Sequence, residues 1–243
     1  MISVTEKEIE FFKSEGFLVI NDLISKEEVV YYKKVYDDFL SNSIDASKYR
    51  SDLSGLEDDA IEKITQIMVP SKVFPELLNK PIHLKTQQIA KSLLGNDLKL
   101  DFDMLINKAP YTYTPTPWHQ DAAYWIDMPD KRALSFWTAI DDASIDNGCM
   151  WYTPKSHLQS TLPHQQKENK GALQCEGFEE NSIPIELKSG SCVIHHGNTL
   201  HYSRGNSTSL SRRAFITNYR PEKMIVLERE KGIDHTGERE VRS

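Results

Sequence analysis

Between Leu98 and Ile106 the chain reads LKLDFDMLI, with an apolar residue at every second position. That period belongs to an extended strand, whose successive side chains leave on opposite faces. Further short strand-like runs follow at Arg132–Ile140, Cys149–Thr153, Ile183–Leu187, Ser191–His195 and Arg213–Tyr219. Turn residues separate them: Asn147-Gly148, Ser189-Gly190 and Gly205-Asn206-Ser207. Many short strands at this spacing suggest an antiparallel sandwich or barrel, not repeated βαβ units.

Upstream of Gly95 the pattern is helical. Thr5 with Glu8 and Ser25 with Glu28 are capping-box pairs, each ahead of an apolar helical stripe. Phe17–Ile20 reads as one short strand between these helices. Residues 43–60 read as loop, and Pro81 opens a third helix that runs to about Leu94. The expectation is one domain over residues 1–243, with a helical part at about 1–95 packed against a β core at about 96–221.

Composition narrows the partners. With 39% hydrophobic residues, a chain of 243 can bury a full core, and no Gly/Ser- or Pro-rich linker divides it. A formal charge of -7 disfavours nucleic acid and anionic membrane surfaces. Three widely spaced cysteines, Cys149, Cys175 and Cys192, suit a reducing compartment. The N-terminus has no long apolar run, which excludes a signal peptide or membrane span and makes the cytoplasm the expected location.

The chemistry concentrates in WHQDAAYW, residues 118–125. In an extended segment His119 and Asp121 share a face and can offer one nitrogen and one carboxylate oxygen. Two histidines and one carboxylate on one side of an ion form the non-haem Fe(II) site, which keeps positions open for small molecules. The pair alone is weak evidence, because such spacings are common. A third ligand has to come from His157, His164, His195, His196, His201 or His235, and only one of the adjacent His195 and His196 can face inward. Arg212 and Arg213 stand under the same restriction, and alternation does not say which of them points in.

Four ordered blocks carry a family resemblance: MLINKAP (104–110), WHQDAAYW (118–125), FWTAIDDASIDNGCMWYTPKSH (136–157) and TLHYSRGNSTSLSRRAFITNY (199–219). Together they resemble the phytanoyl-CoA dioxygenase family of Fe(II)/2-oxoglutarate-dependent oxygenases over roughly residues 98–221. The resemblance implies a mainly β fold with a double-stranded β-helix (jelly-roll, cupin-like) core. It implies Fe(II) held by His119, Asp121 and His201, with 2-oxoglutarate and O₂ as cosubstrates. It places Arg212 on the far carboxylate of 2-oxoglutarate and puts Trp137, Gln120, Met104 and Lys63 around that molecule. His157 is read as structural. Because Asp121 is kept, the implied outcome is hydroxylation of a small organic substrate and not halogenation. Two departures stand out, Ser191 where an aspartate is usual and Lys155 where a glycine is common. Tyr111, Tyr113, Tyr124 and Trp125 are candidate pocket walls, and Trp118 and Trp125 are the first places to look for substrate specificity. A cupin-like binding protein without turnover, and a Zn²⁺ or Mn²⁺ hydrolase or isomerase at the same residues, are the alternative readings. The sequence leaves open the substrate, hydroxylation versus desaturation or another oxidative outcome, and the oligomeric state.

Overall fold

The computed structural model describes residues 3–54, 62–166 and 172–236. Two antiparallel sheets face each other. The larger contains β1 (Phe17–Ile20), β2 (Arg50–Asp52), β3 (Ile64–Met68), β4 (Leu98–Lys108), β6 (Leu134–Ala139), β9 (Cys192–His196) and β11 (Arg212–Pro221), in the order β1-β9-β6-β11-β4-β3-β2. The smaller contains β5 (Thr116–His119), β7 (Met150–Tyr152), β8 (Ile183–Ile185) and β10 (His201–Ser203), in the order β5-β10-β7-β8. This is the expected jelly-roll-like, mainly β architecture.

Period-2 alternation divides the core into two layers. Trp137, Ala139, Val193, Ala214 and Ile216 leave the larger sheet toward the smaller and meet Met150, Tyr152 and Tyr202. Phe136, Ile194, Leu105 and Phe215 leave the opposite face. There they are covered by Tyr32, Tyr36 and Phe39 of α2 (Lys26–Leu40) and by Ile82, Ile89 and Leu93 of α4 (Pro81–Leu94). Both faces of the larger sheet are therefore covered.

Both capping boxes form, Thr5 on α1 (Glu6–Glu15) and Ser25 on α2. Gly16 ends α1 in the left-handed conformation, at φ 84°, where a Cβ would lie 2.3 Å from His157 Nδ1. The N-terminal third forms its three expected helices and also contributes strands to the larger sheet. β1 pairs with β9 from Phe17↔His195 to Ile20↔Cys192, and β3 pairs with β4, so this third supplies both edges of the larger sheet. Part of the segment expected as loop (43–60) is strand β2, and its residues 55–60 lie outside the described residues. A short helix, α3 (Pro70–Val73), and a C-terminal one, α5 (Glu222–Glu230), complete the chain. No described helix is long and apolar enough to cross a membrane.

Candidate metal and cosubstrate site

β5 and β10 are neighbours, and their register sets His119 directly opposite His201. The backbone stays extended through Gln120 (φ −123°, ψ 130°) before a 3₁₀ turn, Asp121–Tyr124, begins. His119 and Asp121 therefore share a face, although the strand itself stops at His119. Asp121 Oδ1 lies 3.8 Å from His119 Nε2 and 3.8 Å from His201 Nε2. One donor atom from each of the three residues falls within 4.8 Å of the others.

The ring orientations are fixed from behind. His119 Nδ1 donates to the Pro117 carbonyl at 2.7 Å, and His201 Nδ1 to the Thr199 carbonyl at 2.8 Å. Each ring thus turns a bare Nε2 lone pair toward Asp121. Burial pushes the His119 pKa down to about 4 against the opposing pull of Asp121, and pushes His201 well below its usual value. Burial would raise the Asp121 carboxyl, but the hydrogen bond from His195 and the three neighbouring imidazoles hold it well below the ordinary carboxylate range. Two neutral imidazoles beside one carboxylate are the protonation states that a divalent cation needs.

These residues line a cavity of about 80 Å³ between the sheets. Arg212 also lines it, 1% exposed, with the guanidinium carbon 5.0 Å from the centre of the Trp137 ring. Its Nε and Nη1 are buried without a hydrogen-bond partner. Burial lowers its pKa to about 10, so it stays cationic at neutral pH. The structure resolves the choice between the two arginines: Arg212 shares a face with Ala214 and Ile216, whereas Arg213 faces α2. There Arg213 pairs with Asp141 at 2.7 Å and Asp37 at 2.6 Å.

Met104 and Trp137 also line the cavity, and Met104 Sδ accepts from Gln66 Nε2 at 3.2 Å. Two expected cosubstrate contacts are not brought to it. Gln120 points the other way, as alternation requires between His119 and Asp121. Its Nε2 donates to Asn198, and its Oε1 accepts from the Leu162 N–H at 2.8 Å. Lys63 lies in the turn before β3, its backbone bonded to Asp52 and Ala109, and is not among the lining residues.

The other histidines have separate tasks. His157 Nε2 donates to the Lys13 carbonyl at 3.1 Å, His164 Nε2 accepts the Gln120 N–H at 2.9 Å, and His196 Nδ1 accepts the Asn198 N–H at 3.1 Å. His235 belongs to a buried ion network with Arg220 and Glu228. Of the aromatic candidates, Tyr124 lines the cavity, whereas Tyr111 and Tyr113 are exposed. Trp118 stacks on Tyr202 with ring centres 4.2 Å apart. Trp125 lines a different, larger cavity of about 620 Å³ behind the turn. Lys155 occupies a left-handed position at φ 64°, where a glycine would carry no strain. Ser191 Oγ accepts the Asp22 N–H at 3.2 Å, as a carboxylate there would.

Ser135, Ser203 and Gln66 line the cavity too and were not anticipated from sequence. The available signal was parity: Ser135 is two residues before Trp137, and Ser203 two after His201.

The chain is similar to known proteins over most of its length. The family model described as phytanoyl-CoA dioxygenase matches residues 12–214. A phytanoyl-CoA dioxygenase domain-containing protein 1 of Danio rerio is 24% identical over 258 residues, covering 87% of this chain and 88% of the relative. A phytanoyl-CoA dioxygenase of Arabidopsis thaliana is 27% identical over 252 residues, covering 88% and 87%. Among solved structures, EvdO2 from Micromonospora carbonacea var. aurantiaca superimposes with a TM-score of 0.75 at 29% identity, covering 89% of this chain and 90% of that one. Its complex with 2-oxoglutarate superimposes at 0.73. With the matched segment spanning most of its length, the chain belongs to the phytanoyl-CoA dioxygenase family.

Proposed function

We propose that the protein is an Fe(II)- and 2-oxoglutarate-dependent dioxygenase that hydroxylates a C–H bond of a small organic substrate, releasing succinate and CO₂. One observation carries this reading. Three metal-type donor atoms lie close together in the lining of one cavity, and the same cavity is lined by a buried arginine with two unpaired nitrogens. The donor set fits a ferrous ion, and the unpaired guanidinium fits a carboxylate. EvdO2 was crystallised with 2-oxoglutarate in the same fold, which supports the assignment.

His119 Nε2, Asp121 Oδ1 and His201 Nε2 would hold the iron. Bound there, iron and O₂ supply the oxidation that side chains alone cannot perform. Arg212 holds the far carboxylate of 2-oxoglutarate in a two-pronged grip, and the Trp137 ring fixes the plane of the guanidinium. Met104, Ile106 and Ile216 wall the cavity with apolar surface, which limits water at the reacting centre. A hydrolase or isomerase at the same metal ligands would give Arg212 no task.

The test is anaerobic purification, loading with Fe(II), and an assay for succinate from 2-oxoglutarate in air. Succinate formation and saturable 2-oxoglutarate binding are expected. Absence of both would overturn the proposal.

A further inference from the structure

The two oxygens of Asp121 do different work. Oδ1 faces the two histidine nitrogens at 3.8 Å, whereas Oδ2 is turned away and takes two hydrogen bonds. One comes from Ser135 Oγ at 2.6 Å and the other from His195 Nε2 at 3.1 Å. The direction of each bond is set one residue further back. Asn218 Nδ2 donates to Ser135 Oγ at 2.8 Å, which leaves the serine proton for Asp121. Tyr152 O–H stands 3.1 Å from His195 Nδ1, and its donation there leaves the ring proton on Nε2. Two relays, Asn218 to Ser135 and Tyr152 to His195, therefore end on the same carboxylate oxygen.

His195 is also held in place as a plate. Its ring lies 4.4 Å from that of His201 and 5.3 Å from that of Tyr152, and the residue is 3% exposed. It has no room to swing away from Asp121.

We infer that His195, together with Ser135, is a positioning residue that commits Asp121 to metal binding through Oδ1 alone. The inference rests on the metal site proposed above. An ion of this kind takes about six donors, so three single-atom protein ligands leave about three positions. A chelating 2-oxo acid fills two of them and O₂ needs the third. If Asp121 closed on the ion with both oxygens, one of these positions would be lost. The clamp on Oδ2 therefore keeps the centre open enough for its cosubstrates, without itself touching them.

The test separates metal binding from cosubstrate binding, using Co(II) as an air-stable probe. Calorimetry first measures Co(II) alone, then 2-oxoglutarate added to the Co(II)-loaded full chain. For H195F, which keeps a flat ring but loses the donor, Co(II) affinity is expected to stay within about threefold of wild type. Its 2-oxoglutarate affinity is expected to fall about tenfold or more, the scale on which outer ligand-orienting partners act. H195Q, which restores an N–H donor, is expected to recover most of that loss. In a crystal structure of Co(II)-loaded H195F, both Asp121 oxygens are expected on the ion.

Unchanged 2-oxoglutarate affinity in H195F would overturn the inference. So would a proportional loss of both affinities, which would mark general damage, and so would failure of H195Q to rescue. If H195F does not fold, S135A makes the same comparison with the other donor, and the same outcomes decide. Failure of the wild-type chain to bind Co(II) would instead sink the metal site itself, before any variant is made.

Discussion

Replacing Arg212 by alanine is expected to abolish productive 2-oxoglutarate binding while leaving the metal ligands intact. The guanidinium is 1% exposed, and its Nε and Nη1 have no protein partner, so a bound carboxylate is the group that satisfies them. Each charge-assisted hydrogen bond of this kind contributes about 1.5–3 kcal/mol. Losing two costs about 3–6 kcal/mol, or about two to four orders of magnitude in Kd. Arg212→Lys keeps the charge but offers a point donor in place of a fork, and should fall between wild type and alanine. Arg213→Ala is the internal control. It breaks ion pairs with Asp141 and Asp37 on the α2 side and should change the 2-oxoglutarate Kd less than about threefold. The assay is calorimetric titration of 2-oxoglutarate into metal-loaded protein. Thermal melting adds a second arm: a buried cation without a counter-ion destabilises the free protein, so Arg212→Met should melt no lower than wild type. If Arg212→Ala binds 2-oxoglutarate within threefold of wild type, or if Arg213→Ala weakens it as much, the assignment of the inward arginine's role is wrong.

Other variants probe the frame around the site. Lys108 is fully buried and donates from Nζ to the carbonyls of Thr114, Ser203 and Arg204, so Lys108→Met should lower stability by about 3 kcal/mol in urea unfolding. Lys155→Gly relieves a left-handed residue and should raise the melting temperature slightly, worth less than about 1 kcal/mol. In metal-free protein, His119 titrates near 4 when folded and near 6.5 when unfolded. Its contribution is fully present above about pH 6.5 and is lost as pH falls toward 4, on the order of 3 kcal/mol for this residue, as denaturation across that range would register.

What the sequence disclosed followed from local rules. The capping boxes at Thr5 and Ser25, the strand at Phe17–Ile20 and the alternation after Leu98 depend on neighbours in the chain, and all reappear in the structure. β3 was invisible because Ile64, Thr65, Gln66, Ile67 and Met68 are all buried, which leaves no polar face to mark a period. The same reason hid which arginine points inward. With both faces of the larger sheet covered, Ala214, Phe215 and Ile216 read as one apolar run, and parity has no reference. The orientation of Gln120 could be read from alternation, whereas the family resemblance set it around 2-oxoglutarate. His195 was legible only as one of several possible ligands, because its partners Tyr152 and Asp121 lie 43 and 74 residues away in the chain.

The ion network at the end of β11 carries a practical lesson about where this protein can be cut. Arg220 sits between Asp101 and Glu228, its guanidinium 4.8 Å from the Trp125 ring, and Glu228 Oε1 accepts the N–H of Ile126 at 3.0 Å. Both anchored residues follow Asp121 by only a few positions. The segment matched to the family ends at residue 214, upstream of α5. A chain trimmed to that match would discard the carboxylate that fastens the turn beneath the candidate ion site. Homology marks one boundary here and mechanical support another, and an expression strategy has to respect the second.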